Sequence, residues 1–171
     1  MPAINKSRAA KWRCYAINVL LFVILVTGLR VWQQRDMASG IAPELKGVTL
    51  AGQPYTLPIH TNNPMLIHFW ATWCSICRLE QDAINAIAHG DANVVTIAMQ
   101  SGQPAEVSQH MQEQGIDFMV INDQEGMISR TWGVRAVPAS FIISPDGEIR
   151  FIEVGYTTSI GLKLRMWLAG L

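Results

Sequence analysis

The segment Met65–Trp70, MLIHFW, is apolar at every position but one histidine, and it runs directly into a helical pattern. A strand with no polar face belongs in the interior of a sheet covered on both sides. The chain beyond Trp70 keeps alternating. A helix is predicted from about Cys74 to Ala88, ended by His89-Gly90, and Asn93–Met99 is a second β-branched run. Pro104–Gln114 reads as a helix with proline in its first turn and Gly115 behind it. Phe118–Ile121 reads as a short strand and Gln124–Trp132 as a short helix. Ala139–Ile143 and Glu148–Val154 flank the turn Ser144-Pro145-Asp146-Gly147, and Ser159 is placed to cap a last helix reaching Leu168. Upstream, Val48–Ile59 reads as a hairpin turning at Ala51-Gly52-Gln53. This alternation predicts an α/β fold: a central sheet with helices on both faces, made partly antiparallel by its final hairpin.

The N-terminal part is of another kind. Lys6, Arg8, Lys11 and Arg13 precede the apolar run Cys14–Trp32, which holds one charge, Arg30. Trp12 and Trp32 bracket the run, and a helix of that length spans about 30 Å, one bilayer core. Indole rings favour the two interfaces, and Lys/Arg clusters stay on the cytoplasmic side. A cleaved signal peptide would need a small-residue cleavage site, and VWQQRDMASGIAPEL is a poor one. The reading is therefore a cytoplasmic basic tip (1–13), an uncleaved transmembrane anchor (14–32), a polar linker (33–44) and a globular domain (45–171) outside the cytoplasm. Cys14 reads as a small apolar residue of the anchor.

Charge follows the same division. Residues 1–47 hold seven of the thirteen Lys/Arg and two of the thirteen acids, and residues 48–171 hold the remaining six and eleven. An acidic body argues against nucleic-acid binding, which needs clustered cations.

Two of the three cysteines, Cys74 and Cys77, fall at the junction of the buried strand and its helix, in FWATWCSICRLE. A helix N-terminus carries partial positive charge and free N–H groups, both of which stabilise a thiolate. Positions i and i+3 are helical neighbours, close enough for the sulfurs to bond. Such a pair exchanges electrons with another disulfide: Cys74 attacks, a mixed disulfide forms, Cys77 resolves it. A structural role is disfavoured because so short a loop yields little entropic stabilisation. A zinc site needs more ligands than one C-x-x-C supplies. Cu(I) can bind two thiolates, so a copper-binding module using this pair, with His68 as a further donor, is the alternative.

FWATWCSICRLE resembles the active site of thioredoxin-like proteins, and WCxxCRxE resembles the membrane-anchored branch with cytochrome-c-maturation reductases and TlpA-like proteins. WGVRAVPASFIISPDGEI (Trp132–Ile149) and GIDFMVINDQEG (Gly115–Gly126) are similar to later segments of that branch, so the resemblance covers about residues 44–171. It implies a thioredoxin fold, with Cys74 as nucleophile, Cys77 as resolving thiol and Pro138 as a cis-proline beside the thiols. Val137 and that proline would then offer a backbone edge to a substrate strand. Trp73, Ser75 and Ile76 surround or separate the thiols, with Trp73 partly covering the disulfide and Trp70 in the core. Glu80 matches the branch's acid, three residues beyond Cys77. It is either a proton carrier for the inner thiol or an ordinary exposed helix acid near Arg78. His68 stands where thioredoxins carry a buried aspartate. It is either a charge or proton carrier for the thiols or a neutral, hydrogen-bonded core residue.

No cofactor is expected beyond the redox-active pair, and no metal. Thiols facing an oxidising compartment need continual re-reduction, so the implied partners are protein disulfide substrates and a membrane electron donor. Ser75-Ile76 brings neither a charge nor a histidine between the sulfurs, which favours a reducing pair.

Overall fold

The computed structural model describes residues 6–90 and 92–171. The chain divides into two compact units at Arg35 and Asp36. The first is helix α1, Lys6–Gln34. Within it Lys11–Gln34 is long and apolar enough to cross a membrane, and none of its most apolar window is buried against protein. Trp12 and Trp32 are exposed, and the Arg35 guanidinium lies 5.4 Å above the Trp32 ring. Helix already begins within the basic tip at Lys6. Residues 1–5 of the tip and the side chain of Cys14 lie outside the described residues.

The second unit is built on a six-stranded sheet in the order β1-β8-β7-β4-β5-β6. These strands are β1 (Gly40–Ile41), β4 (Met65–Trp70), β5 (Asn93–Met99), β6 (Val120–Asp123), β7 (Ala139–Ile143) and β8 (Glu148–Val154). Strands β4, β5 and β6 run parallel, while β7, β8 and β1 add successive antiparallel neighbours. A separate hairpin, β2 (Lys46–Val48) with β3 (Pro54–Thr56), closes on the Thr49–Gln53 turn. All six residues of β4 are buried, as its apolar pattern requires.

Helices α2 (Ser75–Ala88), α3 (Pro104–Gln114) and α5 (Ser159–Ala169) cover one face, where Ile84, Val107 and Leu162 pack with Leu66 and Trp70. The opposite face carries the short α4 (Met127–Thr131) and the segment before β2, so its cover is less helical than expected. Its core is an aromatic trio, Phe69, Trp132 and Phe141, with ring centroids 5.0–5.9 Å apart.

The segment 33–44, read as a linker, is mostly bound to the domain. Met37 is buried, the Ala38 N–H donates to Trp132 O, and Gly40–Ile41 extend the sheet beside β8. Burying Met37 and Leu45 contributes about 1.5–3 kcal/mol each. Gly133 makes room for this segment: it sits at φ 69°, and a Cβ there would strike the Asp36 carbonyl. Other boundaries shift slightly. The strand expected at Phe118–Ile121 lies at Val120–Asp123, the helix expected at Gln124–Trp132 covers Met127–Thr131, and Thr158 rather than Ser159 caps α5.

Candidate active site

Strand β4 ends at Trp70, a tight turn comes next, and Cys74 becomes the N-cap of α2 in extended conformation. Its Sγ accepts the Cys77 N–H at 3.1 Å, satisfying one of the free donors of the helix's first turn. The two cysteines are joined by a disulfide, with Cα atoms 5.3 Å apart. Cys74 is 6 % exposed and Cys77 1 %, so the first sulfur lies at the rim and the second beneath it. Ser75 and Ile76, between them, are exposed.

The loop before β7 closes over the rim. The Val137-Pro138 peptide bond is cis, and the Val137 carbonyl oxygen stands 3.6 Å from Cys74 Sγ. On the other flank Trp73 is 61 % exposed and its indole N–H donates to Gln100 O at 3.1 Å. Gln100 holds φ 45°, the single positive-φ non-glycine among the described residues. The adjacent Ser101 hydroxyl accepts the Thr72 N–H. The β5–α3 connection thus fixes the approach to the thiols. Trp70 is core: it is buried, donates to Thr96 Oγ1 at 3.1 Å and packs edge-on against Phe118.

Glu80 is not an exposed helix acid. Cys77, Glu80, Ile84 and Ile87 form the inward stripe of α2, and Glu80 is 1 % exposed. One carboxyl oxygen accepts the Thr157 N–H, while the other, Oε2, is buried without a hydrogen-bond partner. Burial pushes its pKa up to about 7, against the opposing effect of the Thr157 bond. A carboxyl in that state gives or takes a proton near neutral pH.

His68 shares a face with Leu66 and Trp70, members of the core cluster that contains both cysteines. It is buried, its Nδ1 and Ser140 Oγ share a 2.9 Å hydrogen bond, and desolvation lowers its pKa to about 4. It is therefore a neutral core histidine. Strand register extends this pair into a row: Thr96 on β5 faces His68 on β4, which faces Ser140 on β7, which faces Glu153 on β8. All four are buried, and Arg165 of α5 closes the row at 2.7 Å from Glu153. Among the described residues no three His, Cys, Asp or Glu side chains converge to hold a metal ion.

Sequence reasoning did not single out Ser140, Thr157, Gln100 or Ser101. Ser140 carried a usable signal, a polar residue inside the apolar run ASFII; Gln100 and Thr157 act through backbone groups that no side-chain pattern announces, and Ser101 acts through a hydroxyl that looks like any other loop serine.

Comparison with known proteins agrees with this geometry. The sequence profile of the AhpC/TSA family matches residues 39–152. The chain belongs to the AhpC/TSA family. A Thioredoxin-like protein of Haemophilus influenzae is 29 % identical over 157 residues, covering 90 % of this chain and 92 % of that protein. The thiol:disulfide interchange protein DsbE of Tatumella citrea is 26 % identical over 81 % of this chain and 83 % of its own length. The thiol-disulfide oxidoreductase ResA of Geobacillus thermodenitrificans is 23 % identical, covering 85 % and 88 %. Among solved structures, a thioredoxin-family thiol:disulfide interchange protein of Chlorobium tepidum superposes with a TM-score of 0.66 at 26 % identity, covering 78 % of this chain and 98 % of that one. The fold is the thioredoxin fold, and the chain is a thiol:disulfide oxidoreductase of DsbE/ResA type carrying the Cys74–Cys77 pair.

Proposed function

We propose that this protein is a membrane-anchored, periplasmic reductase of protein disulfides, held in the inner membrane by α1 with its N-terminus cytoplasmic. The observation that carries the reading is the layered pair: Cys74 at the rim on the N-terminus of α2, Cys77 buried beneath it, Glu80 one turn deeper. In the reduced state the helix N-terminus stabilises the Cys74 thiolate, which attacks one sulfur of a substrate disulfide. A mixed disulfide forms and the first substrate thiolate leaves. Glu80, which titrates near neutrality, takes the proton of Cys77. The Cys77 thiolate then attacks Cys74 Sγ, closing the internal disulfide and releasing the second substrate thiol. Two electrons have passed to the substrate, and a membrane dithiol donor restores the pair. The substrate strand docks along Val137 and Pro138 beside Trp73, Ser75 and Ile76. His68 stays neutral beneath the site.

Within the wider family, WCSICR, the Val137-Pro138 turn and the basic, apolar N-terminus support the branch of suppressor-for-copper-sensitivity protein D and the cytochrome-c-maturation reductases. The role would then be copper and redox stress tolerance or cytochrome c maturation.

The test is trapping. Cys77→Ser should accumulate mixed disulfides with protein partners on non-reducing gels, and Cys74→Ser should accumulate none. Equal trapping by both variants, or by neither, would reject the assignment. Direction follows from the reduction potential: about −220 mV or below supports a reductase, and about −120 mV reverses it.

A further inference from the structure

Helix α5 is apolar on two opposite sides. Leu162, Met166 and Ala169 face the core. Ile160, Leu164, Trp167 and Leu168, with Leu171 just past the helix end, are 42–85 % exposed. At 3.6 residues per turn these five lie within a sector of about 100°, opposite the buried stripe. Helix α3, on the same face of the sheet, differs: its outward positions include Glu106, Gln109, Gln112 and Glu113. Other exposed apolar side chains occur on the domain, such as Leu79 and Met127, but α5 gathers five on one side, which α3 does not.

Three observations say what covers it. Helix α5 contains Lys163 and Arg165 and no acid, although the body around it is acidic overall. Arg165 is engaged by Glu153, while Lys163 is exposed at the margin of the stripe, and Trp167 sits within it. Apolar side chains with an indole and a flanking lysine, free of carboxylates, match an anionic lipid surface and not an acidic protein. The chain also supplies the proximity. Only two residues separate Gln34, the end of the candidate span, from Met37, buried in the domain, a reach of about 10 Å. A domain so tethered meets lipid at high effective concentration.

We propose that the outer face of α5 rests on the anionic bilayer surface, so that the domain is seated on the membrane and not merely leashed to it. This rests on reading α1 as a membrane anchor. Because α2 and α5 cover the same face of the sheet, the seat holds the disulfide helix in the membrane-side layer, within reach of a dithiol carried by a membrane protein.

The test places the photoreactive residue p-benzoylphenylalanine at Leu164, at Trp167 or, as a control, at Gln109 on α3. Each full-length variant is reconstituted in vesicles of phosphatidylethanolamine and phosphatidylglycerol, with retained disulfide exchange certifying the fold. Lipid adducts are expected at 164 and 167 and absent at 109. Cross-links to a second copy, or no adducts at 164 and 167, overturn the proposal. A carbonate wash separates the two readings. A chain that stays in the vesicles without adducts defeats the α5 seat alone, and a chain that washes off defeats the anchor and the seat together.

Discussion

The two faces of the central sheet are built on opposite rules. One face packs Phe69, Trp132 and Phe141 with Ile67, Ile97 and Ile143 in a mainly apolar layer, and its buried carboxylate, Asp123, is held by the Ile128 and Ser129 N–H groups and the Ser129 hydroxyl. The other buries the cysteine pair, Glu80, and the row Thr96, His68, Ser140 and Glu153 among its aliphatic side chains. Strand β4 serves both, sending Phe69 to the first and His68 to the second. The difference teaches a division of labour. Polar groups inside a core cost stability unless each is satisfied, so the redox face sacrifices some of it for proton and electron chemistry. The aromatic face carries the compensating burial.

Breaking the aromatic face should therefore have the largest effect on stability and little on chemistry. Phe141→Ala should cost about 3–5 kcal/mol in equilibrium unfolding of the detergent-solubilised chain. The fraction that stays folded should exchange disulfides at the wild-type rate. A loss of rate per folded molecule would show that the faces are not separable.

The next largest effects are pH slopes on the redox face, and they oppose each other. Glu80 is raised from 4.5 to about 7, so from about pH 4.5 to 7 the folded state holds a proton that the unfolded state has released, and stability falls as pH rises. His68 is lowered from 6.5 to about 4, so from about pH 4 to 6.5 the unfolded state holds the extra proton, and stability rises with pH. Between about pH 4.5 and 6.5 the two contributions offset, leaving the wild-type profile flat with respect to this pair. Glu80→Gln, which keeps an acceptor for the Thr157 N–H, should expose the rising His68 slope. His68→Asn should expose the falling Glu80 slope. Unfolding free energies measured across that range decide it: unchanged profiles in both variants would mean that folding does not shift the ionisation of either group.

Much of this division is written in the sequence. The strands at Met65–Trp70, Asn93–Met99, Ala139–Ile143 and Glu148–Val154 coincide with their apolar patterns, because buried strands and clear turns leave few alternatives. Gly40–Ile41 was invisible: two residues carry no period, and the strand exists because the exposed edge of β8 accepts it. At the site, the C-x-x-C junction was legible from local spacing. Even Glu80 lies on the helical stripe with Cys77, Ile84 and Ile87, which marks it as inward-facing. The pairing of His68 with Ser140 was not legible, since 72 residues separate them and only the antiparallel register of β4 and β7 makes them neighbours. The same holds for Thr157, which meets Glu80 through a backbone N–H that no side chain advertises.

The smallest expected effect tests whether the polar row is a unit or a set of neighbours. Ser140→Ala removes the hydroxyl facing His68 Nδ1 and should cost about 1–2 kcal/mol, between the net value of one hydrogen bond and the penalty for a stranded buried partner. Glu153→Gln should weaken the Arg165 contact by a comparable amount. If the two act only as neighbours, the double variant should lose the sum of the single costs, and the reduction potential of the Cys74–Cys77 pair should stay where it is. If the row is one network from β5 to α5, the double variant should lose measurably less than that sum, because the first break has already loosened what the second removes. A potential that moves with Ser140→Ala would carry the coupling further, from the row to the thiols.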